Sequence, residues 1–515
     1  MKKRILMFLV LLAVMPFATA HAATWYVDNA ATGSGNGTSW TNAWKSFSAI
    51  AWTSIKPGDT LYISGGSTSK TYKEKLSIGV NGTDSSPIYI KPGQTSPHNG
   101  VVTITNTGSN AGIYIANRSH IVVDGNVNGK QNIRVTKCTT PGVVVYGSAH
   151  GIVLTYLEVD NNGDAAKEDG ISVQVSSSID GESRVAEISY CKVHDNWQDE
   201  MKITGARGPA KMGRFLVHHN EIYNISDDGL ESICRGIDFY NNKMHTFRIG
   251  KGSGHSDGIQ FMGGSTRIYN NTFYNFSHPT KTGVNSYMLV AAQTLTDAIP
   301  ERDFYIYNNL IYDTTPKSNL KSDAYLRGIE WTFGPSSQCT GVTNVIIANN
   351  TIIGTPYYGL SLWLYSGKTS QNVQIYNNIV SNCNRLNPSG GSAVSLGQTW
   401  NWTIGSRGDN KQVIFDHNII YAGTSGSDKI VFKGTRYSYA TWKSTFGTQK
   451  NITGNPDPLL NSQYRLQSTS PAKDKGNAMS SFFNMDIDAI ARPQGTAWDI
   501  GASEYKTGTT TAAVQ

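Results

Sequence analysis

The chain has 515 residues, with 44 Lys and Arg against 37 Asp and Glu and a formal net charge of +7. A balance this mild, without any Lys/Arg run, gives no support to a nucleic-acid partner, and none is expected. Five cysteines (Cys138, Cys191, Cys234, Cys339 and Cys383) are an odd number with no C-x-x-C, which excludes a fully paired disulfide scaffold and suits small buried apolar residues.

The chain opens Met1-Lys2-Lys3-Arg4, runs apolar from Ile5 to Phe17, and reaches Ala18-x-Ala20 and Ala20-x-Ala22. That order predicts a secretory signal peptide over 1–22. Its loss near Ala22 removes three cations, lowers the net charge to +4, and predicts a secreted or periplasmic protein. The apolar run is too short to span a bilayer, and no second one follows, so no membrane span is expected. Thr24 to Asp28 reads as a first strand. Trp44, Phe47, Ile50 and Ala51 have helical spacing within Asn42–Trp52, which predicts a capping helix in an N-terminal cap of about 23–60. A cap there covers the open first turn of a stack. Pro57-Gly-Asp-Thr-Leu-Tyr-Ile63 then opens the stack.

A segment of alternating apolar residues around Asn-Asn recurs next. It reads Leu216-Val-His-His-Asn-Glu-Ile-Tyr223, then Asp238-Phe-Tyr-Asn-Asn-Lys-Met-His245, and recurs through Arg267–Tyr274, Tyr305–Tyr312, Ile346–Ile353, Gln374–Ser381 and Ile414–Tyr421. Weaker copies stand at Val153–Asp160 and Glu187–His194. Each copy reads as strand, bend, strand, with Asn tolerating the left-handed backbone of the bend. One such unit cannot bury its own apolar face, whereas stacked units bury a continuous core and let Asn side chains bond along the pile. The second Asn recurs at 220, 242, 271, 309, 350 and 378; its shortest step, 22 residues, is one β-helix turn. The expected fold is all-β: a single-stranded right-handed parallel β-helix, a solenoid, over 23–505. An irregular closing region of about 451–505 ends it, and a polar tail, 506–515, is expected to be disordered. A monomer is expected.

The Pro57–Ile63 opening with Tyr72-Lys-Glu74, the Asn-Asn ladder and the closing Asp499-Ile-Gly-Ala-Ser-Glu-Tyr505 resemble the bacterial right-handed β-helix proteins that include pectate lyases, chondroitinase-B-like and alginate lyases, and related hydrolases. The resemblance spans most of 24–505. It is specific for fold and only loosely specific for reaction.

Aligning the turns on their bends brings Ile171, Met201, Leu230, Ile259, Val284, Ile329 and Leu360 into one column, expected to face the core. The next residues then point outward: Ser172, Lys202, Glu231, Gln260, Asn285, Glu330 and Ser361. Beside them runs an aspartate column, Asp169, Asp199, Asp228 and Asp257, continued by Thr282, Arg327 and Tyr358. Carboxylates about 4.8 Å apart repel by about 3 kcal/mol at an effective dielectric of about 20. Relief comes from a calcium ion, from protons, or from solvent and backbone amides.

Cutting a uronic-acid chain by β-elimination requires a neutralised sugar carboxylate, removal of the C5 proton and help for the leaving oxygen. In the calcium-dependent pectate lyases, the resemblance implies a cage of acidic residues and a Lys or Arg base. Mapped onto this chain, the cage is Asp199, Asp227, Asp228 and Glu231 around Ca2+, and the base is Lys202 or Lys251. Arg248, Lys251 and His255 sit on a Gly-rich insertion beside the same columns. Trp197, Arg327, Glu330, Tyr358 and Trp363 are expected to bind substrate, with Trp331 a further aromatic candidate. The predicted function is a lyase of an acidic polysaccharide. Two alternatives share these residues. One is a polygalacturonase-like hydrolase, resembled by Asp199, then Asp227-Asp228, then Gly254-His255, without that group's Asn-Thr-Asp and Arg-x-Lys wording. The other is a non-catalytic β-helix adhesin or carbohydrate binder.

Overall fold

A computed structural model describes residues 22–506, apart from 107, 109–110, 164–167, 177–183, 206–212, 249–255, 278–282, 292–300, 321–325, 334–340, 365–368, 388–391, 397–402, 405–411, 424–428, 450–451 and 453–454. The predicted signal peptide and residues 507–515 lie outside these, as do Lys251, His255, Thr282 and Cys339.

Among the described residues, strands stack into three long sheets of 14, 12 and 13 strands. In the middle of the molecule each turn visits the sheets in one order. One such turn runs Arg214–His218 in the first sheet, Glu221–Ile225 in the second and Leu230–Ile233 in the third. Each strand pairs in parallel with its counterpart one turn on, as Val217 with Phe239 and Ile222 with Met244. Parallel crossovers in one sheet are right-handed almost without exception. The fold is therefore the right-handed parallel β-helix expected. Inward positions alternate with outward ones, and Ile188, Val217, Phe239, Ile268, Ile306, Ile347 and Ile375 form one buried column.

The Asn-Asn pair divides its labour. The first residue takes the left-handed backbone at the corner between first and second sheets, with φ of 54° at Asn241, 56° at Asn270 and 53° at Asn308. The second forms the ladder. Asn220 Nδ2 donates to Asn242 Oδ1 at 3.0 Å, Asn242 to Asn271 at 3.1 Å, and Asn271 to Asn309 at 3.0 Å; the series continues through Asn350 and Asn378 to Asn418. Each Oδ1 also accepts the backbone N–H of the preceding ladder residue, as Asn271 Oδ1 does from Asn242 N. Each amide of the ladder thus gives and receives.

The ends depart from expectation in form. The N-terminal cap is two 3-10 turns, Phe47–Ala49 and Trp52–Ser54, instead of a helix. Ala51, between them, has non-helical backbone, and Glu74 accepts the Phe47 and Ser48 amides. Trp44, Phe47 and Ile50 are nonetheless buried, as their spacing implied. At the other end, the helix Tyr439–Phe446 closes the stack, with Trp442 edge-on to Phe415 and Phe432. Residues 477–501 run along the flank and bond the corner residues Asn349 and Asn377. The described cysteines, Cys138, Cys191, Cys234 and Cys383, are buried, as their reading as small apolar residues implied. No helix among the described residues is long and apolar enough to cross a membrane.

Candidate functional site

The third sheet carries the acidic wall. Ile171, Met201, Leu230 and Ile259 pair in register as expected. Their column continues through Met288, not Val284, then Ile329 and Leu360. The outward column accordingly reads Ser172, Lys202, Glu231, Gln260, Leu289, Glu330 and Ser361, and Asn285 is not in it. Ser286, not Thr282, follows Asp257. Val284 lies opposite Ser256, three residues ahead of the Ile259 column, and a register shift between Val284 and Ser286 adds one residue more, so Gly283 does not stand where Gly258 does. Gly283 marks a bend in sequence, but the core column enters the strand five residues after it.

Asp169, Asp199, Asp228 and Asp257 stack as predicted, at the entry to this sheet. Asp199 Oδ1 accepts the Asp228 amide at 3.1 Å, and Asp228 Oδ1 accepts the Asp257 amide at 2.7 Å. The column is less exposed than a solvent-facing wall: Asp199 keeps 2% of its surface, Asp228 6% and Asp257 0%. Strands that bury both faces of the bend draw these carboxylates under their neighbours. Burial, with the charge of adjoining turns, pushes the Asp169 carboxyl up to about 7 and Asp199 and Asp228 well above the usual carboxylate range. Glu231, with 16% of its side chain exposed, and Asp227, which accepts from Ser256 Oγ at 3.2 Å, form the outer margin.

Lys202 lies between acids, with its Nζ paired to Glu231 and 3.5 Å from Asp199 Oδ2. Burial works against its charge, but Asp199 and Glu231 outweigh it and hold the ammonium above the ordinary lysine range. As placed, Lys202 is ion-paired on both sides, which opposes the loss of a proton that a general base needs. Arg248 is a corner clamp. Its Nε donates to Ser226 Oγ at 2.6 Å and an amino group to the Asn196 carbonyl at 2.5 Å, with Asp195 3.7 Å away.

Arg327 and Glu330 do come together with the acids. An Arg327 amino group lies 3.1 Å from Glu330 Oε2 and donates to Asn285 Oδ1 at 2.6 Å. Asn285 Nδ2 donates to Asp257 Oδ1 at 3.3 Å. A polar chain therefore runs from Arg327 through Asn285, Asp257 and Asp228 to Asp199. Asn285 is the link that sequence reasoning misplaced, because its role depends on the register shift. Ser286, whose Oγ donates to Glu330 at 2.8 Å, carried no sequence signal. Tyr357 lies under the Arg327 guanidinium at 5.5 Å, and burial with contact to Tyr357 pushes Tyr358 up to about 12. Trp363 is half-buried, its Nε1 donating to Ser361 Oγ at 2.5 Å, and marks the C-terminal end of the same wall. Trp197 is half-buried at the bend before Asp199. Trp331 is fully buried, edge-on to Phe304, and is core rather than a sugar platform.

The four residues expected to hold calcium do not gather around a point. The Asp199 and Asp228 Oδ1 atoms are taken by amides, Asp199 Oδ2 faces Lys202, and no three acidic, His or Cys side chains among the described residues could hold a metal ion together. The arrangement does not fit the cage.

Residues 169–380 match the family model described as a right handed beta helix region. No curated protein sequence matches the chain. Among solved structures, pectate lyase Pel9A is 15% identical, with 94% of this chain and 96% of that one covered and a TM-score of 0.45. An alginate lyase from Paenibacillus sp. str. FPU-7 is 14% identical over 57% of this chain and 95% of that one, with a TM-score of 0.41. PfbA, a surface adhesin of Streptococcus pneumoniae, is 10% identical over 71% and 88%, with a TM-score of 0.46. At such identities and TM-scores these likenesses carry nothing over to this chain. The chain is a right-handed parallel β-helix, and its acidic wall from Asp169 to Tyr358 lies inside the segment that matches that region.

Proposed function

We propose that the outward wall of the third sheet binds and cleaves an acidic, uronic-acid-containing polysaccharide by β-elimination. The observation that carries the reading is the pair of basic residues, Lys202 and Arg327, joined along one wall through Asp199, Asp228 and Asp257, where each of the first two carboxyls accepts the next residue's backbone amide, and through the Asn285 side chain. A cation so anchored suits the binding of a sugar carboxylate, whose negative charge must be offset before the C5 proton can leave. We assign Lys202 to that task, because two carboxylates oppose its loss of a proton. Acids whose affinity for protons is raised suit protonation of the leaving oxygen. Lys251, outside the described residues, is then the expected base, with His255, also outside them, a further catalytic candidate.

A hydrolase reading draws on the same raised acids, since a proton-holding carboxyl beside an ionised one is what glycoside hydrolysis uses. One assay separates the readings. Incubated with polygalacturonate or alginate, the protein is expected to release product that absorbs in the ultraviolet, and Lys202→Ala to slow release about a hundredfold or more. Reducing ends without that absorbance would establish the hydrolase. Retention of polymer with neither signal would leave a binder or adhesin and end the catalytic reading. A chelator arm tests calcium: lost rate restored by the ion would mean that calcium draws together carboxylates that do not meet unaided.

A further inference from the structure

The corner between the first and second sheets changes character along the molecule. In the C-terminal half its outward residues are Asn308, Asn349 and Asn377, and the chain's own 477–501 segment occupies them. Asn308 Nδ2 donates to the Met485 carbonyl at 2.6 Å, Asn349 Nδ2 to Asp499 at 2.9 Å, and Asn377 Nδ2 to Asn477 at 2.8 Å. In the N-terminal half the same left-handed positions carry Tyr156, Tyr190 and His219, with φ of 52°, 54° and 54°. There the corner opens into a cleft of about 490 Å³, within the range of about 300–1,000 Å³ typical of small-ligand sites.

One side of the cleft is a row of parallel rings. Tyr156 and Tyr190 stack at 5.0 Å and 5°, and Tyr190 and His219 at 4.8 Å and 16°. Tyr190 is 39% exposed, unusual for so large an apolar group. The other side is the first outward position of the second sheet, where Lys192, Glu221 and Lys243 stand on successive turns. Lys192 and Glu221 are 4.0 Å apart and each about two-fifths exposed, and Lys243 is exposed. The hairpin formed by Asn126–Val127 and Lys130–Gln131 closes one end, with Gln131 Nε2 donating to the Tyr190 carbonyl at 2.9 Å.

We propose that this corner cleft is an accessory binding site for a short stretch of acidic glycan, separate from the wall that cleaves it. Rings with hydroxyl edges beside a row of charged donors and acceptors suit a ligand that is flat in parts and hydroxylated throughout. Two lysines against one glutamate favour a negatively charged sugar. The covered half of the corner shows that the outward residues of this corner can be bonded by chain laid over them. The proposal rests on the acidic-polysaccharide reading for its ligand, but not on catalysis. An accessory site of this kind holds polymer near the catalytic wall and raises its local concentration.

The test uses the mature full-length protein in affinity gels containing polygalacturonate, alginate or a neutral glucan, with cleavage of short oligomers measured separately. Lys192→Ala/Lys243→Ala and, independently, Tyr190→Ala are expected to weaken retention by either acidic polymer about tenfold, while oligomer cleavage stays at the wild-type rate. Both variants change exposed side chains, and an unaltered melting temperature checks their folding. Retention equal to wild type overturns the cleft and spares the wall. Equal retention in the neutral gel overturns the acidic ligand. Lost retention in variants of a protein that cleaves nothing supports the cleft and overturns the catalytic wall.

Discussion

Two polar stacks run along this molecule, one of amides and one of carboxyls, and they behave differently for a chemical reason. In the asparagine ladder each side chain both donates and accepts. Asn271 Nδ2 gives to Asn309, its Oδ1 receives from Asn242, and nothing is left over. In the aspartate column each carboxyl can only accept when ionised. Asp199 and Asp228 cap the next turn's amide, and ionising both would set charge beside charge in a buried place, which raises their hold on protons. The amide stack is therefore closed and structural, whereas the carboxyl stack needs protons or cations to complete it, and a group that must find a partner is available for chemistry.

The sharpest break in the contrast is expected from Asn271→Leu. It strands the Asn242 amide groups and the Phe239 carbonyl inside the core, and urea unfolding should report a loss of about 3 kcal/mol or more, at about 1–3 kcal/mol for each orphaned partner. A smaller loss would mean that the ladder is not what locks the turns.

The pH profile should show the column's unfinished state. Asp169 holds its proton up to about pH 7 when folded but only to its ordinary value when unfolded, so between these the folded chain binds more protons. Stability from this group is thus present at mildly acid pH and lost as pH rises through about 7. Melting temperature should fall over that interval in the wild type and fall less in Asp169→Asn. A wild-type profile that is flat or rising there would show an ionised, solvated column.

The smallest effect on stability is expected from Asp228→Asn, which keeps an oxygen for the Asp257 amide and removes one charge. Unfolding free energy should change by about 1 kcal/mol or less, while polymer cleavage falls. Full activity in this variant would remove the column from the site.

Much of this was legible in the sequence. Repeated Asn-Asn frames named the ladder residues and the bend residues, because only a few residue types tolerate the left-handed corner. Asp-Gly-apolar copies at turn spacing, with Asp199-Glu200-Met201 in the same frame, placed Asp169, Asp199, Asp228 and Asp257 together, and put Lys202 beside Glu231. The reading slipped at Val284–Ala291, where an extra residue shifts the register and a glycine no longer marks the core column. It also could not separate Trp331, which is core, from the candidate sugar platforms, since aromatic residues serve core and surface alike.

Periodicity of apolar residues and the backbone tolerance of Asn are local properties, so the sequence by itself determined the solenoid, its turn length and which polar residues fall in line. Burial depends on what the rest of the chain covers. Only the tertiary structure decided that the acidic column is nearly closed to solvent, that Lys202 is ion-paired between Asp199 and Glu231, and that one half of the aromatic and asparagine corner is filled by 477–501 while the other half stands open.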